Sequence, residues 1–151
     1  VIVTLPVMNL IKRNIYKLSI LMLASYTLLL GYWMLFGFER EVSPVYMYNL
    51  VPFNTINHFL EVANFNYSVW IINLLGNIGV FIPFGILLPL VFGNKYIKLL
   101  IIFESGLILL ETLQLLTRRG SFDVDDLILN TTGALIGYLI YKLISKLRGE
   151  I

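Results

Sequence analysis

Two long stretches of this chain, Leu18 to Phe38 and Val62 to Asn94, contain no Asp, Glu, Lys or Arg at all. A charge-free run of that length cannot be the surface of a water-soluble domain, where charged residues make up about a quarter of the chain. Here only 13% of residues are charged and 58% are hydrophobic. A membrane-spanning helix needs roughly 20 apolar residues. The 151 residues therefore accommodate four spans and leave no room for a separate soluble domain. The spans are predicted at about 18–38, 68–93, 99–116 and 127–147, in one transmembrane domain covering 1–151.

Orientation follows from the basic residues. With both termini and the turn carrying Lys95 and Lys98 placed in the cytoplasm, eight Lys/Arg lie inside. Three, Arg40, Arg118 and Arg119, lie outside. The positive-inside rule selects this arrangement. The expectation is thus an all-α integral membrane protein, a small bundle of four transmembrane helices with a long extracellular loop between helices 1 and 2. That loop, Val42 to Tyr67, holds Pro44, Pro52 and several asparagines, with few helical signals. Its length points to a functional or membrane-surface role.

Several function classes drop out. A net charge of +2 is too small to point to nucleic acid, and the absence of cysteine excludes thiolate nucleophiles and thiolate metal sites. Gly-x-Ser-x-Gly, HExxH and phosphate-cradling glycine loops are all missing, and no cofactor is expected. Val1 is an unusual beginning, and Met8 before Asn9-Leu10-Ile11-Lys12-Arg13 reads as a more natural start, so residues 1–7 are expected to be upstream sequence. The first apolar segment is too long, and lacks the small-residue exit, for a cleavable signal peptide.

What remains informative are polar residues at membrane depth, which normally face a bundle interior or a wet cavity. Span three carries Glu104, Glu111 and Gln114, and at about 100° per residue these form one stripe with Arg118. Such a stripe must face protein, either as a site or as a brace between helices. On span two, Asn73 and Asn77 are four residues apart beside Gly76, which also suits interhelical hydrogen bonding. Pro83 would kink that helix.

Between spans three and four, Arg118 to Asp126 packs two cations and three carboxylates, Asp123, Asp125 and Asp126, into nine residues. Asp125 or Asp126 could serve as helix N-cap, which accounts for one carboxylate and not three. The three are weak candidates for a divalent cation, and no metal is assigned to them. Asp126 opens a helix on which Asn130, Gly133, Gly137 and Tyr141 share a face, and Gly133 and Gly137 suit close packing. His58, the single histidine, sits in the outer loop as a possible general base or a merely solvated side chain. With the orientation above, Asn73, Asn77, Glu111, Gln114, Arg118, Asp126 and Asn130 all fall in the outer halves of their spans, and only Glu104 lies near the cytoplasmic side. They are expected to line a polar cavity opening to the extracellular face and roofed by Val42 to Tyr67.

Four segments in order, Asn49-Leu50-Val51-Pro52-Phe53, Asn73-x-x-x-Asn77-x-x-x-Phe81-x-Pro83-x-Gly85, Glu111-x-x-Gln114 and Asp123-Val124-Asp125-Asp126-x-x-x-Asn130-Thr131-x-Gly133, resemble the VanZ-like membrane proteins. The resemblance covers about Asn49 to Tyr141. It implies a small helical protein of the bacterial cytoplasmic membrane, associated in the founding member with resistance to the lipoglycopeptide teicoplanin. The quoted residues carry over as binding residues, namely Asn73, Asn77, Glu111, Gln114, Asp123, Asp125, Asp126 and Asn130, with Arg118 added from its place beside them.

Two functions fit these groups. In one, the cavity binds a lipoglycopeptide or a lipid-linked cell-wall precursor, with membrane lipids as the surrounding partner. In the other, a membrane enzyme modifies a lipid or polyprenyl-linked substrate, with Glu111 or Asp126 as general base and Arg118 stabilising a phosphate or oxyanion.

Cysteines introduced at Asn94 and at Ser121 should react with an impermeant thiol reagent from opposite sides of the membrane. Labelling at Ser121 only after permeabilisation would reverse the topology.

Overall fold

The computed structural model describes residues 5–37, 40–62 and 67–149, with the side chains of 7–37, 40–61 and 71–149. Phe38, the last residue of the first predicted span, and residues 1–4 of the upstream segment lie outside these. Among the described residues, four helices are long and apolar enough to cross a membrane. They are α1 (Leu5–Phe36), α3 (Tyr67–Phe92), α4 (Tyr96–Thr117) and α5 (Val124–Leu147). Helix α1 starts well before the predicted span, because Lys12, Arg13 and Lys17 continue the helix instead of interrupting it.

The long loop of the sequence expectation is a folded segment. It contains strand β1 (Met47–Asn49) and helix α2 (Asn54–Val62). Strand β1 pairs in parallel with β2 (Ser121–Asp123), the link between α4 and α5, with Tyr48 opposite Phe122 and Asn49 opposite Asp123. The bundle is therefore helical with one short two-stranded ribbon at one end.

Helices α3 and α5 form the tightest pair. Their backbones touch through glycine. A Cβ at Gly133 would collide with the Ile78 carbonyl, one at Gly137 with the Ile82 carbonyl, and one at Gly85 with the Ala134 carbonyl and the Tyr138 amide. In lipid, where apolar side chains gain little by leaving one hydrocarbon for another, such close backbone packing is a principal source of association. Gly133 and Gly137 have the packing role their spacing predicts.

Pro83 and Pro89 both lie inside α3, which remains one helix from Tyr67 to Phe92. A proline removes one backbone donor and crowds the preceding turn. The Tyr26 hydroxyl donates to the Val80 carbonyl in that turn at 2.7 Å, so α1 supplies a hydrogen bond where the proline weakens the ladder. Around it Phe81, Phe84 and Phe103 pack with Leu30, Leu88, Leu99 and Leu107 into the core that joins α1, α3 and α4. Phe81 meets Phe103 edge to face, with ring centroids 5.8 Å apart.

Gly133→Val and Gly137→Val should each lower stability by roughly 1–3 kcal/mol or more, the cost of overpacking a close contact. Gly79→Ala, where an added Cβ meets nothing within 4 Å, should be near neutral. Thermal unfolding of the purified protein in detergent provides the comparison.

Candidate functional site

The ribbon end of the bundle is where α1 and α4 finish and α3 and α5 begin, so four helix termini converge with β1, β2 and α2. Helix α2 has an unusual start. Phe53 occupies its N-cap position with a left-handed φ of 66° and has no side-chain oxygen to offer the free amides of the first turn. Asp125, in the first turn of α5, supplies the missing cap. One carboxylate oxygen accepts the Phe53 N–H, and the other accepts those of Thr55 at 2.7 Å and Ile56 at 3.1 Å. Asp125 is 0% exposed. Its charge also lies at the positive end of two helix dipoles.

Asp123 is the N-cap of α5 itself, its side chain accepting the Asp125 N–H at 2.8 Å. It further accepts the Thr55 hydroxyl at 2.6 Å and the Asn49 amide at 3.0 Å. The cap is thus Asp123, two or three places before the residues favoured from the sequence. Asp123 and Asp125 hold the β1–α2 segment down, and among the described residues no group of three or more His, Cys, Asp or Glu is placed to hold a metal ion.

Asp126 points the other way, into a cavity of about 200 Å³ whose polar lining is Asn77, Glu111, Gln114, Asp126, Asn130 and Arg40. Leu30, Met34, Val80 and Phe81 are among its apolar walls. Five of these polar residues are sequence candidates carried by three different helices. The Asn77 amide donates to Asp126 at 2.7 Å. The Gln114 amide donates to the Met34 carbonyl at 2.8 Å, tying α4 to the last turn of α1. Three buried atoms of this lining have no hydrogen-bond partner among the described residues: Glu111 Oε2, Asn130 Oδ1 and Arg40 Nε. Glu111 is 1% exposed and Asn130 2%.

Other candidates stand elsewhere. Arg118 follows the last residue of α4 and turns into the left-handed region, φ 55°, so the helical stripe drawn through Glu104 and Glu111 ends one residue before it. Its guanidinium lies over the Tyr46 ring and donates to the Pro44 carbonyl at 3.4 Å. Asn73 is one turn from Asn77 on α3 and does not line the cavity. Glu104, two turns deeper on α4, accepts the Thr131 hydroxyl at 2.6 Å, bracing α4 against α5. His58 is exposed on α2.

Arg40 is the functional candidate that helical phase could not find, since it lies beyond the end of α1, outside any helix or strand. Its guanidinium donates to the Arg119 carbonyl at 3.0 Å while Arg119 donates back to the Arg40 carbonyl at 3.2 Å. The only sequence signal for it is its membership of the three cations on the less basic side.

In comparisons with known proteins, the sequence model described as VanZ/LLP1 matches residues 18–145. Protein VanZ of Enterococcus faecium is 32% identical over 133 residues, covering 83% of this chain and 74% of that protein. No solved structure matches the chain.

Asp125→Ala should leave three amides of the α2 start without acceptors, at about 1–3 kcal/mol for each one that water does not reach. Hydrogen exchange of the amides in 54–62 should accelerate markedly in this variant, while those of α3 and α5 below the ribbon stay protected. Unchanged exchange in α2 would mean that the Asp125 cap does not hold the helix.

Proposed function

Because the chain belongs to the VanZ/LLP1 family, we propose that this multi-pass membrane protein confers resistance to teicoplanin through the cavity lined by Glu111, Asp126 and Arg40. The observation that supports this most is the convergence of Asn77, Glu111, Gln114, Asp126 and Asn130, from three helices, on one buried space. Structural glue alone would pair such groups off, because an unpaired buried polar atom costs about 1–3 kcal/mol. Instead two acceptors and one donor stay unmet among the described residues.

With both termini cytoplasmic, the cavity end faces outward, and the cavity binds the drug or a lipid-linked cell-wall component at the outer leaflet. An acylated drug is concentrated there, at about 0.8 kcal/mol per buried methylene. A drug without an acyl chain meets the site less often. A carboxyl pair beside a guanidinium also suits an enzyme acting on a lipid or polyprenyl-linked substrate, with Arg40 in the anion-stabilising role first given to Arg118. A chemically altered lipid or precursor pool on expression distinguishes that activity from binding.

Expressed in a susceptible Gram-positive host, the protein should raise the inhibitory concentration of teicoplanin more than that of vancomycin. Glu111→Gln and Asp126→Asn keep size and hydrogen-bonding capacity while removing charge, and each should abolish protection with the protein still present in the membrane fraction. Full protection by both variants would return these carboxyl groups to a purely structural role.

A further inference from the structure

The polar cavity has an apolar neighbour. A second cavity, of about 320 Å³, lies between α1, α3 and α4 and is lined by Leu23, Phe84, Leu88, Ile102, Gly106 and Leu110 among others. Phe81 is a wall of both. On each helix the lining passes from one to the other within a turn or two. On α4, Leu107 and Leu110 face the apolar space and Glu111 and Gln114 the polar one. On α3 the same change falls between Phe84 and Asn77, and on α1 between Thr27 and Leu30. The apolar lining of α4, Ile102 to Leu110, extends for about 12 Å along the helix.

The unmet atoms specify what the polar space accepts. Glu111 Oε2 and Asn130 Oδ1 call for N–H or O–H donors, and Arg40 Nε calls for an acceptor. Two carboxyl groups face one guanidinium, so when both are ionised one negative charge lacks a partner. A buried charge of that kind is stabilised by a cation with hydrogens to donate. An arginine fork is suited to phosphate. Size narrows the choice further, because about 200 Å³ is below the range of drug-sized pockets and holds a head group or one small polar part of a larger ligand.

We propose that, if this cavity is the working site inferred above, it holds the head group of an amine-bearing zwitterionic phospholipid of the phosphatidylethanolamine type. The ammonium lies on Glu111 and Asn130, the phosphate on Arg40, and one hydrocarbon chain in the α1–α3–α4 groove. Choline head groups carry the same charges but have no N–H to donate, so they fill the space without satisfying the two acceptors.

The test is competitive lipid binding to the purified full chain, read by native mass spectrometry with dioleoyl phosphatidylethanolamine, phosphatidylcholine and phosphatidylglycerol as probes. Wild type should retain the ethanolamine lipid at least about tenfold over each of the others, given the strength of hydrogen bonds to charged groups. Glu111→Gln should bring that ratio close to one. Gly106→Phe fills the groove from a position where an added Cβ meets nothing within 4 Å, and should weaken dioleoyl binding while preserving the head-group preference among dihexanoyl lipids. Thermal unfolding checks that both variants fold. A chain-length series on wild type reads the groove independently, with retention expected to rise with length.

Equal retention of ethanolamine and choline lipids by wild type, or a preference unchanged in Glu111→Gln, overturns the proposal. Retention independent of chain length overturns its hydrocarbon half. Protection against teicoplanin that needs Glu111 without any ethanolamine preference would discard the lipid and keep the resistance site. An ethanolamine preference without Glu111-dependent protection would do the reverse.

Discussion

Hydrocarbon offers no hydrogen bonds, so every polar atom that this chain carries to membrane depth must find its partner within the protein or stand at a place where something else comes to it. Both outcomes occur, a few residues apart. Asp125 is fully buried, and its oxygens are met by three backbone amides of another helix. Close by, the lining formed by Glu111, Asn130 and Arg40 is incompletely met among the described residues, although Glu111 and Asn130 are nearly as deeply buried. The first arrangement fixes the ribbon end of the bundle. The second makes that end chemically receptive.

The arrangement also divides labour among adjacent carboxylates. Asp123 caps its own helix and anchors Thr55 and Asn49, Asp125 caps α2, and Asp126 enters the cavity. A cluster that looks uniform in sequence is therefore two capping groups and one that lines the cavity beside Asn77. Asp123 precedes α5 in extended backbone, whereas Asp125 and Asp126 are consecutive in its first turn and point about 100° apart, so that one reaches the α2 amides and the other the cavity.

Much of this was legible beforehand. The charge-free stretches define the spans because hydrocarbon thickness sets a length, and Glu111, Gln114, Asp126 and Asn130 are conspicuous because polar groups at that depth need a reason. Gly133 and Gly137 announced a close contact through their spacing, and it is there against Ile78 and Ile82. What stayed hidden depends on partners distant in sequence. Helix α2 has no local start signal, since its cap is supplied from residue 125, and Pro52 with its neighbouring asparagines reads as loop. Strand β1 exists only because β2 lies beside it. Arg40 lines the cavity where Arg118 was expected, for a local reason that periodicity does not contain: the helix ends at Thr117, and beyond that point angular phase has no meaning.

The separation between Asp125 and the amides it caps has a consequence for how the protein is made. When the ribosome has completed α2 and the first three spans, the residues that hold β1 and α2 have not yet been synthesised, because β2 and the head of α5 come last in the order of elements. The ribbon cannot pair, α2 cannot be capped and the cavity lacks two of its polar walls until α5 enters the membrane. Assembly of the site is thereby coupled to the synthesis of α5, and a chain truncated before α5 would expose Glu111 with neither Asp126 nor Asn130 opposite it. Such a fragment displays an unshielded carboxyl group within the bilayer, the kind of feature that membrane quality-control proteases can read.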